Sequence, residues 1–145
     1  MPLQVRTVTT GGDAYQHPME GPVTHTAQLT IDISALSTTW VDSDGYLKPG
    51  TMIRENGLPI SAASQYVFGI VLEPVRLGYY DGSFGNSAAI LAGATDVQVA
   101  VATHGACLKA VLEGNIGRSL NDNELKAFKP TSGSFIKLLD FTLDT

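Results

Sequence analysis

The sequence has few charged residues and no basic stretch. Only 16% of its 145 residues are charged, against ~25% in an average soluble domain, and its net charge is −5. Binding to nucleic acid or to an anionic membrane surface depends on clustered Lys and Arg. We therefore expect neither nucleic acid nor a membrane as a partner.

Cysteine and long apolar runs are also scarce. Cys107 is the only cysteine, which excludes an intramolecular disulfide and a thiolate-rich zinc site. No run of ~18 apolar residues occurs, so no membrane-spanning helix is predicted. Residues 1–6 lack the apolar segment typical of a signal peptide, and none is expected.

The usual motifs of nucleophilic catalysis are missing. Residues 82–85, Gly-Ser-Phe-Gly, do not form the Gly-x-Ser-x-Gly turn that exposes a nucleophilic serine. His104 and Cys107 lie three positions apart, but the neighbours of Cys107 are small and apolar. This setting predicts a buried thiol rather than a reactive thiolate. We expect no catalytic residue and no enzymatic activity.

Metal and cofactor sites are not predicted either. His17, His25 and His104 have no second ligand at metal-binding spacing. Residues 42–45, Asp-Ser-Asp-Gly, begin like a calcium loop, but the glycine comes too early and the twelfth position is Ile53 instead of glutamate. The sequence also lacks a glycine-rich phosphate-binding loop. We expect no metal and no cofactor.

Apolar residues and turn-forming residues are plentiful. Hydrophobic residues make up 43% of the chain, and 15 Gly and 7 Pro are spread along it. This spacing favours short elements joined by turns, and thus a mainly β domain. Apolar alternation or apolar runs predict strands at 27–33, 51–53, 66–72, 97–103 and 134–139. The predicted core consists of Leu29, Ile31, Ile33, Val67, Phe68, Ile70, Val71, Leu72, Val97, Val99 and Val101.

Two segments have helical character. Residues 120–128 are predicted to form a short helix, because Asn121 and Glu124 have the spacing of a capping box. Residues 106–113 favour helix by composition, but Gly105 and Gly114 restrict it to one or two turns.

Residues 1–26 are predicted to be an N-terminal arm, or a loosely held edge strand followed by a loop, preceding a body at 27–145. The β-prone stretch Val5, Arg6, Thr7, Val8 and Thr9 has no obvious hairpin partner nearby, and Gly11-Gly12 separates it from the body. An unpaired β-prone segment is an aggregation hazard unless another chain covers it. We predict that residues 1–12 are poorly ordered in the free protein and add as a strand to a neighbouring chain.

Several aromatic residues fall in or near predicted loops. Trp40, Tyr79, Tyr80 and Phe84 are the candidates for an exposed aromatic surface. Such side chains either cover the rim of the core, anchor a protein interface or stack on sugar rings. The sequence leaves these three alternatives open.

Three segments together resemble the lambda-like head decoration proteins of tailed bacteriophages. They are residues 45–53, Gly-Tyr-Leu-Lys-Pro-Gly-Thr-Met-Ile, then 67–73, Val-Phe-Gly-Ile-Val-Leu-Glu, and 88–93, Ala-Ala-Ile-Leu-Ala-Gly, followed by the valine-rich strand. The resemblance covers roughly residues 46–113. The chain is longer than the smaller family members, with an extended connection at 61–65 and an added loop at 79–86.

The resemblance implies a small barrel- or sandwich-like β domain with one or two short helices and an extended arm. It implies a homotrimer on the outer surface of the mature capsid that binds the major capsid protein, with no cofactor, after synthesis in the host cytoplasm. The five arm residues, Val5 to Thr9, would then contact the coat. Two alternatives are a carbohydrate-binding module that uses Trp40, Tyr79 and Tyr80, and a small hydrolase built on Cys107 and His104.

Overall fold

The computed structural model describes residues 7–10, 13–36, 39–42, 45–77, 96–131 and 133–140. It contains ten short strands, a 3-10 turn at Ile33–Ala35 and two helices. The strands are β1 (Thr7–Thr10), β2 (Asp13–Gln16), β3 (Thr26–Asp32), β4 (Tyr46–Leu47), β5 (Met52–Ile53), β6 (Gly69–Val71), β7 (Val75–Arg76), β8 (Asp96–Ala102), β9 (His104–Leu108) and β10 (Phe135–Leu139). The helices are α1 (Lys109–Ile116) and α2 (Asp122–Lys126).

A four-stranded antiparallel sheet in the order β3-β8-β6-β5 forms the centre of the fold. Side chains alternate between its faces, so Ile31, Val99 and Val101 are buried while Gln28 and Gln98 face outward. Leu29 and Val97, which were predicted for the core, are only partly buried. The β-rich fold predicted from the sequence is confirmed, but this sheet is open rather than closed into a barrel.

The third predicted strand is shorter than its apolar run. Only Gly69–Val71 forms β6, and the side chain of its central residue, Ile70, is fully buried. Tyr66 is exposed and Phe68 is partly buried, so placing Phe68 in the interior was wrong. Gly69 allows a close approach of β6 to β8, since a Cβ there would lie 2.6 Å from the Val101 Cβ.

A parallel pair of strands, β9 and β10, continues into helix α1. The sequence predicted that Gly105 and Gly114 would confine any helix to the residues between them, but α1 runs through Gly114. It ends at Gly117, whose φ of 82° gives the left-handed conformation that stops a helix. The first three residues of the segment at 106–113, Ala106 to Leu108, belong to β9. They pair with Lys137 to Leu139 of β10.

Helix α2 begins with the predicted capping box. The Asn121 side chain accepts from the Glu124 N–H at 2.9 Å, and Glu124 Oε1 accepts from the Asn121 N–H at 3.0 Å. Both Glu124 oxygens also accept from the Arg118 guanidinium at 2.7 Å. This pairing raises the pKa of Arg118 and neutralises the buried Glu124 carboxylate. Neither helix in the described part of the chain is long and apolar enough to cross a membrane.

The N-terminal segment folds back on itself as a hairpin. Strand β1 pairs antiparallel with β2, in the register Thr7 to Gln16 and Thr10 to Asp13. The prediction that this stretch has no partner close in sequence is therefore wrong, since Gly11-Gly12 is the connection between two paired strands. Val5 and Arg6 lie outside the described residues.

The body holds this hairpin at several points. The Tyr15 hydroxyl donates to Asp42 Oδ2 at 2.6 Å, and both residues are buried. Met19 is in the core, and its backbone forms an isolated antiparallel β-bridge with Cys107. The Glu20 N–H donates to the Ala106 carbonyl at 2.7 Å. Residues 15–20 therefore pack against the body, in contrast to the loosely held arm expected over 1–26.

Candidate functional site

The predicted loop aromatics are only partly described. Tyr79, Tyr80 and Phe84 lie outside the described residues. Trp40 is buried, and the Arg118 guanidinium carbon lies 5.4 Å from its ring centroid. Of the three alternatives for Trp40, the structure supports packing against the core, because a buried ring cannot anchor a partner or a sugar.

Cys107 and His104 do not form a dyad. Residues three positions apart on a strand point to opposite faces, and here Cys107 is buried while His104 is exposed. Burial raises the pKa of the Cys107 thiol to about 12, so it stays protonated at neutral pH. The His104 Nδ1 lies 2.9 Å from the Thr103 hydroxyl instead. The geometry gives no support to a hydrolase at this position.

Two of the three histidines are neighbours, and the third has a separate partner. The His25 and His104 rings lie 4.6 Å apart at a tilt of 48°, and His17 Nδ1 lies 3.1 Å from the Met19 carbonyl oxygen. Across the described residues, no three His, Cys, Asp or Glu side chains come together as metal ligands.

Asn115 reveals how the hairpin edges are arranged. Its side chain accepts from the Gln16 N–H at 3.0 Å and donates to the Gln16 carbonyl at 2.7 Å. The Gln16 backbone groups therefore point away from β1, which makes Thr7 and Gln16 a non-hydrogen-bonded pair. Because such pairs alternate, Thr9 and Ala14 form the next one.

The outer edge of β1 is thus defined by two residues. The N–H and C=O groups of Thr7 and Thr9 point away from β2, while those of Val8 and Thr10 bond to it. No strand within the described ranges pairs with this outer edge. Three of the five predicted arm residues, Thr7 to Thr9, therefore lie in a strand whose outer edge pairs with no other described strand.

Two large hydrophobic side chains that were not predicted as site residues are exposed. Tyr66 is 48% exposed and Phe135 is 53% exposed. Phe135 pairs in register with His104 in the parallel strands, and the His104 ring in turn lies beside the His25 ring. Tyr66 lines a groove of ≈ 460 Å³ together with Arg54, among other residues. The only sequence signal for Tyr66 was its place at the start of the apolar run, which instead suggested burial.

No family model, curated protein or solved structure matches this chain.

Proposed function

We propose that this protein is a structural component of a phage virion that binds the outer surface of the mature capsid as a homotrimer. The proposal rests on the resemblance of residues 46–113 to head decoration proteins, and on the free outer edge of β1. The edge is the observation that carries the mechanism, because main-chain pairing lets one chain bind a strand of another with little demand on sequence.

The hairpin changes the energetics that the sequence suggested. Ordering a disordered arm costs roughly 1–2 kcal/mol per residue, which opposes binding. Residues 7–10 are already extended and paired with β2, and Asn115 fixes β2 to helix α1. A coat strand that pairs with β1 therefore binds an edge that is already extended. The conformational entropy of residues 7–10 is lost during folding and not during capsid binding.

Trimer formation multiplies this weak contact. Each protomer presents one β1 edge, and simultaneous binding of three edges adds as avidity when the coat subunits are suitably spaced. A ligand that binds only the mature lattice stabilises that lattice by mass action. The exposed Phe135 and the low share of charged residues support a surface that protein contacts cover in the assembled state.

The β1 edge is tested by removing one outward N–H. Thr9→Pro deletes a donor that points away from β2, so the hairpin pairing through Val8 and Thr10 remains. Thr9→Ala is the matched control, since it removes the side chain and keeps the N–H. We expect Thr9→Pro to weaken binding to expanded capsids by ~10-fold or more, and Thr9→Ala to bind as the native protein does.

Equal binding by the Thr9→Pro variant would show that β1 is not the capsid contact. Thermal unfolding of both variants checks that the fold is intact. The oligomeric state is measured separately by size-exclusion chromatography with light scattering, where the proposal predicts a mass about three times the 15.3 kDa of the chain.

The second candidate from the sequence, a carbohydrate-binding module built on loop aromatics, loses one of its three residues because Trp40 is buried. Tyr79 and Tyr80 lie outside the described residues and do not strengthen it.

A further inference from the structure

A groove on the surface of the body has the lining of a small-molecule site. Its walls come from the turn after β5, the segment leading into β6 and the segment before β10. Its volume of ≈ 460 Å³ lies within the ~300–1,000 Å³ typical of ligand pockets. The lining that matters for binding consists of Arg54, Glu55, Asn56, Tyr66, Phe68 and Thr131.

The first two walls of the groove are held in place. The Gln65 side chain accepts from the Ser61 N–H at 2.7 Å and from the Ala62 N–H at 3.0 Å, which closes the loop before Tyr66. On the β5 side, the Gly57 N–H donates to the Arg54 carbonyl at 2.9 Å. Gly57 has a φ of 84°, which its tight turn requires.

The third wall is equally fixed. The Thr131 hydroxyl accepts from the Ser134 N–H at 3.0 Å, and the Lys129 ammonium donates to the Ala63 carbonyl at 2.8 Å. The first bond closes the turn before β10, and the second joins that segment to the loop before Tyr66. The groove is therefore preformed, and a ligand would bind without a large cost for ordering loops.

The polar groups at the groove can both donate and accept. Arg54 donates its Nε–H to the Pro59 carbonyl at 3.1 Å, which orients the guanidinium. Among the described residues, no side chain or carbonyl pairs with its two Nη groups. Glu55 and Asn56 are exposed beside it and supply carboxylate and amide groups. Among the lining residues, Arg54 and Glu55 contribute one positive and one negative charge, and this balance favours a ligand without net charge.

The aromatic groups supply an apolar surface for stacking. Tyr66 is 48% exposed, and the Lys129 ammonium lies 5.2 Å from its ring centroid, which fixes the ring. Phe68 packs against Gly133, where a Cβ would lie 3.1 Å from the Phe68 ring. An exposed ring beside paired donors and acceptors suits a sugar, whose C–H face packs on the ring while its hydroxyls both donate and accept.

From this juxtaposition we propose that the groove binds a neutral saccharide, stacked on Tyr66 and hydrogen-bonded by Arg54 and Glu55. The site does not depend on Trp40, Tyr79 or Tyr80, and it is independent of capsid binding. A neutral sugar fits the lining better than a peptide strand, because side chains rather than a free strand edge form the groove walls.

The test uses the full chain on an array of neutral oligosaccharides, followed by calorimetric titration of the best binder. Tyr66→Ala should weaken binding ~10-fold by removing the stacking ring, and Glu55→Ala should also weaken it. Tyr66→Phe keeps the ring and should bind within ~2-fold of the native protein. Phe135→Ala is the matched control, since it removes an exposed aromatic ring outside the groove lining, and it should bind normally.

Absence of binding to any neutral glycan at about 1 mM would overturn the proposal, as would binding that Tyr66→Ala leaves unchanged. Preferential binding of acidic glycans or of peptides would contradict the neutral-sugar assignment. Because every substituted side chain is solvent-exposed, matching unfolding curves will show that a loss of binding is not a loss of fold.

Discussion

Gly69 is a position where the fold does not accommodate an added side chain. It lies in β6, one of the two inner strands of the four-stranded sheet, and β6 pairs antiparallel with β8. A Cβ at Gly69 would overlap the Val101 side chain, which is itself fully buried. Because both residues sit within paired strands, neither can move aside without breaking pairing or packing.

We predict that Gly69→Ala destabilises the protein by about 1–3 kcal/mol, the usual cost of overpacking a core. Gly114→Ala is the control, because Gly114 lies inside α1 with open space around its Cα. That substitution should stabilise the protein by about 0.5–1 kcal/mol through helix propensity. Urea unfolding of both variants measures the difference. A Gly69→Ala variant as stable as the native protein would contradict the close approach of β6 and β8.

Cys107 gives a prediction about pH. Its ordinary thiol pKa of 9.0 applies to the unfolded chain, while burial raises the pKa to about 12 in the folded protein. Below pH 9 the thiol is protonated in both states and has no effect on stability. Between these two values the unfolded chain ionises and the folded chain does not, so stability falls as the pH rises.

The native protein should therefore lose about 1 kcal/mol more stability than Cys107→Ala when the pH is raised from about 8 to about 10. Comparing the two proteins cancels the titration of the remaining groups. The native thiol should also resist alkylation until the protein unfolds, because the thiolate is the reactive form. Parallel stability profiles for the two proteins would show that Cys107 is not buried as described.

At the scale of the elements, Asn115 joins the N-terminal hairpin to helix α1. It is buried, and its amide also donates to the Pro49 carbonyl at 3.1 Å, in addition to its two bonds with Gln16. A single side chain thus satisfies three backbone groups from two separate segments. An isolated two-stranded hairpin is marginally stable in water, so Asn115 and the Tyr15–Asp42 hydrogen bond together help to keep β1 and β2 formed.

We predict that Asn115→Ala destabilises the protein by about 1–3 kcal/mol, mainly because the buried Pro49 carbonyl loses its partner. Amide exchange should become faster at Val8 and Tyr15, whose pairing depends on the anchored hairpin. Asn123→Ala is the control, since Asn123 is exposed on α2. Equal protection of the Val8 and Tyr15 amides in Asn115→Ala would contradict this prediction. It would show that other contacts, such as the Tyr15–Asp42 hydrogen bond, hold the hairpin without Asn115.

The elements that the sequence predicted best are those with a complete local signal. The alternation of residues 27–33 and 97–103 gave β3 and β8, and the spacing of Asn121 and Glu124 gave α2. The apolar run at 66–72 led to a strand that was predicted too long and to a buried Phe68. The exposure of Tyr66 and Phe68 depends on contacts with distant segments, which the run does not encode. Continuous hydrophobicity cannot distinguish a fully buried strand from a strand flanked by half-exposed rings.

The hairpin and the groove were missed for related reasons. A connection of Gly11-Gly12 is typical of a two-residue hairpin, but the β2 partner, Asp13–Gln16, has little apolar character and did not look like a strand. The groove combines residues from positions 54–56, 66–68 and 130–131, which only the folded chain brings together. Long-range juxtaposition of this kind leaves no pattern at any fixed spacing.

At the scale of the whole molecule, the proposed virion role depends on association rather than chemistry. The low charge, the exposed Phe135 and the free edge of β1 all concern surfaces that another protein can cover. The β1 edge and the Tyr66 groove are built from different elements, so each can be disabled without the other. Capsid binding by a Tyr66→Ala trimer would show that the two surfaces act separately.

We propose that the protein recognises the mature coat lattice. Co-sedimentation with capsids measures this recognition directly. The purified chain is mixed with expanded and with unexpanded capsids assembled from the coat protein of the same phage, and the pelleted fractions are compared. We expect saturable binding to expanded capsids, little binding to unexpanded ones, and a higher temperature of capsid disruption once the protein is bound. Failure to pellet with expanded capsids, or equal binding to both forms, would contradict it.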